Sequence, residues 1–84
     1  MKIKFKVIFS NGSITFVEYI FDGWNDFIFD MLHYNQDGAL IDSKTVVNFS
    51  VRKAIRNLVT RGKKNNATFK IVERNSNFVE LINN

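Results

Sequence analysis

Near its start the chain alternates Lys2, Lys4 and Lys6 with Ile3, Phe5, Val7 and Phe9. Successive side chains of an extended strand point to opposite faces, so this spacing predicts a strand with one wet and one buried side. Ser10-Asn11-Gly12-Ser13 follows, and residues 14–21 resume a β-rich run. Asn-Gly tolerates the positive φ of a two-residue type I′ turn, so a hairpin is expected. Such a turn sets Lys6 opposite Val17, Lys4 opposite Tyr19 and Lys2 opposite Phe21. It also leaves Glu18 on the inner face beside Phe5, whereas a bulge or one-residue slip would turn Glu18 outward.

Asp22 can accept from the free amides of a helix start, and Trp24, Phe27, Ile28, Met31 and Leu32 then recur at helical spacing. A first helix is expected, stopping before Gly38 because Asn35-Gln36-Asp37-Gly38 is turn chemistry. Residues 43–61 allow two readings. One long helix gathers Val47, Val51, Ala54, Ile55 and Leu58 on one face but strands Phe49 on the other. The preferred reading is a short strand over 45–49 and a helix capped by Ser50 that ends at Gly62. A basic turn over 63–66 leads into two strands, 67–74 and 78–82. The expected fold is α+β, in the order β-β-α-β-α-β-β, with two helices on one face of a mostly antiparallel sheet.

At 84 residues there is room for one core, and the absence of Pro-rich, Ser-rich or repeated stretches makes 1–84 a single expected domain. With no Cys, cohesion must come from packing of nine Phe and the aliphatic residues, and a reducing, cytoplasmic location is expected. No apolar run approaches the roughly 20 residues that span a bilayer, and the Lys-punctuated opening lacks the apolar stretch of a signal peptide. No membrane association is expected.

Candidate chemistry is sparse. His33 is the one histidine and would have to serve any hydrolytic triad. On a helix, Asp26, Asp30 and His33 would share a face at metal-ligand spacing, yet an ordinary solvated face explains them as well, because one exposed helix lacks the buried surroundings that metal ligands need. The four glycines are isolated, which gives no phosphate cradle. No catalytic residue, metal or cofactor is expected.

Charge points to binding instead. The formal net charge is +4 and the pI about 9.6. Acids gather between Glu18 and Asp42, and the strongest basic cluster runs from Arg52 to Lys64. With Val51, Ile55 and Leu58 facing the core, Arg52, Lys53 and Arg56 form one exposed arc. Arg61, Lys63 and Lys64 suit a helix C-terminus, where cations gain about 0.3–1 kcal/mol, but Arg52 and Lys53 would sit in the first turn, where positive charge is unfavourable. The hairpin's wet face, with Lys4 and Lys6 interleaved with Tyr19, is a second candidate, since such a surface can stack bases while holding phosphates. Lys stems over rings, guarding a sheet edge, explain it equally. The third candidate is Phe29, which the helical pattern leaves among polar residues as an exposed anchor for a protein partner.

The abundance of Asn, Lys, Ile and Phe, the lack of Pro and Cys, and the opening Lys2-Ile3-Lys4-Phe5-Lys6-Val7-Ile8-Phe9 resemble small accessory proteins of phages and mobile elements from low-GC Gram-positive bacteria. The resemblance implies a compact protein that masks or redirects a host machine, inhibitors of defence systems included. The expected function is therefore a non-catalytic interaction protein that modulates a host nucleic-acid-processing or defence complex through its basic helix. The alternative is direct nucleic-acid binding through the same cations together with Lys2, Lys4 and Lys6.

Overall fold

The computed structural model describes residues 1–22 and 25–74. Five strands form one antiparallel sheet: β1 (Lys2–Ile8), β2 (Ile14–Asp22), β3 (Asn25–Tyr34), β4 (Leu40–Val47) and β5 (Thr68–Arg74). Among the described residues a single helix, α1 (Val51–Lys64), lies between β4 and β5 in sequence. The strand order is β4-β3-β2-β1-β5, so the first four strands meander outward and α1 carries the chain back across one face to the far edge.

The order is thus β-β-β-β-α-β, which corrects the expected two-helix arrangement. The expected first helix is strand β3. Its apolar residues occupy both parities, Phe29 and Met31 toward α1 and Ile28 and Leu32 away from it, and that doubling imitates helical spacing. Local preference favours the strand, because Phe27, Ile28, Phe29 and Tyr34 are β-formers and the segment contains no Ala. The Asn35 turn serves a hairpin as well as a helix end. Asn35 N–H donates to the Ala39 carbonyl, Gly38 N–H donates back to Asn35, and Gly38 has φ 86°. The preference for a strand and then a helix over 43–61 holds, with β4 starting earlier than expected, at Leu40. The expected strand over 78–82 and Trp24 lie outside the described residues.

The first hairpin uses the same three-residue loop. Phe9 pairs with Ser13, and Gly12 takes the left-handed conformation at φ 87°. A type I turn followed by a left-handed residue holds one more residue than a type I′ turn, so the register slips by one. Lys6 faces Phe16, Lys4 faces Glu18 and Lys2 faces Ile20. Glu18 therefore points away from the helix, and Tyr19 and Phe21 turn inward.

The core lies between α1 and the inner face of the sheet, where Ile3, Phe5, Val7, Val17, Tyr19, Phe21 and Phe29 meet Val51 and Ile55. Val51 and Ile55 have no exposed surface, and burial of side chains of this size contributes about 1.5–3 kcal/mol each. Ser50 caps α1, accepting from Lys53 N–H at 3.5 Å. The helix continues through Gly62 to Lys64. Asn66, at φ 59°, then reverses the chain, with Ala67 N–H donating to the Gly62 carbonyl and Asn66 N–H to that of Lys63. Those two bonds satisfy carbonyls that a helix end otherwise leaves free.

Gly62 is thus a packing glycine inside the helix and not its stop: a Cβ there would overlap the Phe69 ring of β5. Gly62→Val is expected to destabilise the protein by about 1–3 kcal/mol through overpacking, set against a helix-propensity gain of a few tenths. Urea unfolding monitored by circular dichroism measures it.

Candidate functional site

Helix α1 carries Arg52, Lys53, Arg56, Arg61, Lys63 and Lys64, all exposed, and no acidic residue. At 3.6 residues per turn, Arg52, Arg56 and Lys63 line one flank, Lys53 and Lys64 lie near the crest, and Arg61 stands on the opposite flank. Arg52 and Lys53 do occupy the first turn, where the helix has no acid of its own. Each has a companion nearby. Arg52 Nε is 3.5 Å from Asp26 Oδ2 of β3, and the Lys53 ammonium lies 5.8 Å from the centroid of the Phe49 ring. Asp26 thus supplies negative charge close to the helix start, which lessens the unfavourable placement without removing the excess of cations.

Lys4 and Lys6 lie on the other face of the sheet. The Lys4 ammonium is 4.3 Å from the Tyr34 ring centroid and 5.4 Å from that of Phe16. Tyr34 O–H donates to Glu18 Oε1 at 2.7 Å, and Glu18 is only 7% exposed. That bond to a carboxylate, aided by burial, raises the Tyr34 pKa. Lys2 and Glu73 form an ion pair beside this cluster, and their mutual hydrogen bond raises the lysine pKa and lowers that of the glutamate. Lysines and aromatic rings therefore do interleave, but the rings are Phe16 and Tyr34, and Lys4 is committed to them. The sheet separates this set from the cations of α1, so one short partner could not touch both without wrapping the domain.

Two expected contact residues belong to the core instead. Phe29 is 3% exposed and packs against Tyr19, their ring centroids 5.8 Å apart. Tyr19 is 2% exposed and also meets Phe5 edge-on. Both point inward because β3 is a strand and the hairpin register has slipped, so the exposed Phe29 anchor and the Lys4–Tyr19 pairing do not exist. Asp26, Asp30 and His33 are likewise dispersed. Asp26 meets Arg52, Asp30 accepts from the Thr45 hydroxyl at 2.6 Å on the outer face, and His33, at odd spacing from Asp30, lies on the inner face opposite Asp42.

A feature without a sequence signal lies beside α1. Five strands about 4.8 Å apart span about 20 Å, whereas a helix with its side chains is about 10–12 Å wide. Part of the inner face over β3 and β4 stays uncovered, as a trough of about 470 Å³. Its floor includes Tyr19, Phe29, Met31 and Val46, and Lys44 and Arg61 stand on its walls. Arg61 also borders a second depression, of about 420 Å³, over Val17 and Leu58.

Fold and surface together define a small antiparallel-sheet domain that carries one acid-free basic helix across one face. No family model matches the chain, and neither a curated protein nor a solved structure matches it. Among the described residues, no helix is long and apolar enough to cross a membrane.

Proposed function

We propose that this protein is a non-catalytic binding domain whose α1 face docks on an acidic surface of a partner protein. The observation that carries this reading is the single-sign helix: six exposed cations and no acid over 14 residues, anchored by Val51 and Ile55 so that the charged side cannot turn inward. Fixed like charges on a rigid element speed encounter with an oppositely charged surface and reject wrong partners. The compositional resemblance extends the proposal to a phage-type modulator of a host nucleic-acid-processing or defence complex in the cytoplasm. A second reading, direct nucleic-acid binding, is favoured by the Arg52, Arg56 and Lys63 row, since arginine and lysine side chains in line can contact successive phosphates.

Fluorescence polarisation separates the two, using labelled polyglutamate and labelled single-stranded and duplex DNA and RNA at low and physiological salt. A protein-docking helix is expected to bind the acidic polypeptide. The double variant Arg52→Glu/Arg56→Glu should bind it about ten-fold or more weakly. Tight oligonucleotide binding that falls steeply with salt would transfer the function to nucleic acid. Binding of neither polymer at low salt would end both readings.

A further inference from the structure

The trough between α1 and β4 combines three properties. First, its apolar floor contains a polar group with no bond among the described residues: Tyr19 is 2% exposed, and its hydroxyl has no hydrogen-bond partner there. A buried hydroxyl left unpaired costs free energy that a ligand atom could recover. Second, Lys44 and Arg61 face the trough from opposite sides, and neither has an ion pair among the described residues. Third, β4 stands at the edge of the sheet, so among the described residues the outward backbone groups of Leu40–Val47 have no strand beside them. An edge of this kind can accept an extended segment through main-chain hydrogen bonds, with side-chain pockets supplying specificity.

We propose that the trough and the β4 edge together receive an extended segment of a partner protein, in which a large apolar side chain has a carboxylate two positions away on the same face. In an added strand, residues two apart share a face, so one apolar group enters over Met31 and Val46 while a carboxylate two positions away comes level with Lys44, toward the end of the trough where Arg61 also stands. Asp42, two positions from Lys44 on the same face, stands opposite His33 and limits the positive stretch. This inference rests on the acidic-partner reading and names the segment such a partner would present.

The test is two-dimensional NMR of the full chain titrated with a terminally blocked Ser-Glu-Val-Phe-Val-Glu-Ser peptide. Its counterpart with glutamine for both glutamates and a short oligothymidylate serve as comparison probes. Saturable shifts are expected in the amides of β4 and around Ala54 and Asn57. The glutamine peptide and Lys44→Glu should each weaken binding about five-fold. Tyr19→Phe, which keeps the ring in the core, should weaken it about two- to ten-fold. Absence of saturable shifts, or shifts confined to the flank of Arg52, Arg56 and Lys63, would overturn the trough site. If polyglutamate still perturbed that flank, the proposed function would survive the loss, and if it did not, both would fall. Displacement of the peptide from the trough by oligothymidylate would overturn the peptide assignment in favour of a nucleotide base.

Discussion

Phe29→Ala is expected to destabilise the protein by about 3–5 kcal/mol, the range for removing an aromatic ring from a packed core. The ring is 3% exposed, touches Tyr19 and sits opposite Phe21 on β2 and Val46 on β4. Its loss leaves a void between Tyr19 and Val46, at the floor of the trough beside α1, that the paired backbones of β2, β3 and β4 cannot close. On the polar side of a helix, the same substitution would change stability by no more than about 0.5 kcal/mol. Equilibrium denaturation therefore decides between strand and helix for residues 25–34 with one variant. A change under about 1 kcal/mol would place Phe29 at the surface and refute the β3 register.

Tyr19 is expected to make the fold less stable at alkaline pH. Burial pushes its hydroxyl up to about 12, with the Arg61 guanidinium opposing that shift, whereas an unfolded tyrosine ionises near 10. Below pH 10 the side chain is protonated in both states and contributes no pH dependence. Between pH 10 and 12 the unfolded chain gives up the proton and the folded chain keeps it. Ionisation then favours unfolding, and stability falls by about 2–3 kcal/mol across that interval. Tyr19→Phe removes this loss. Near neutral pH the variant should match or slightly exceed the wild type, because the hydroxyl has no partner among the described residues to lose. Its advantage should widen above pH 10 in guanidinium titrations at stepped pH. A constant difference would mean that the hydroxyl is solvated in the folded protein.

The parts of the fold that sequence could reveal are those where one periodicity had no competitor. β1 alternates strictly, with Lys2, Lys4 and Lys6 against Ile3, Phe5 and Val7, and its face assignment follows directly. Ser50 was legible as a cap because a long helix would have misplaced Phe49. β3 was not legible, because Ile28 and Leu32 face the side of the sheet that no described helix covers, and a strand apolar on both sides resembles a helix. The hairpin partner of Lys4 depended on one residue in a loop, since Asn11-Gly12 fits both the two-residue and the three-residue turn. That single step decided whether Tyr19 or Glu18 faced the helix. The basic arc of α1 was readable from spacing alone. The trough was not, because Lys44 and Arg61 meet across it only when five strands are spanned by one helix.

The route of the chain back across the sheet also governs when the domain can form. β1 is flanked by β2 and β5, and the pairing of Ile8 with Thr68 joins positions about 60 residues apart. The meander of β1 to β4 is local and can assemble early, but its inner face has no cover until α1 docks, and β1 remains an open edge until β5 arrives. Closing so long a loop late places folding toward the slower, millisecond-to-second end for small domains. During synthesis, that edge of β1 cannot be filled by β5 until residues 68–74 have left the ribosome. Lysines at positions 2, 4 and 6 are the residue type that disfavours pairing of such an open edge with a neighbouring chain.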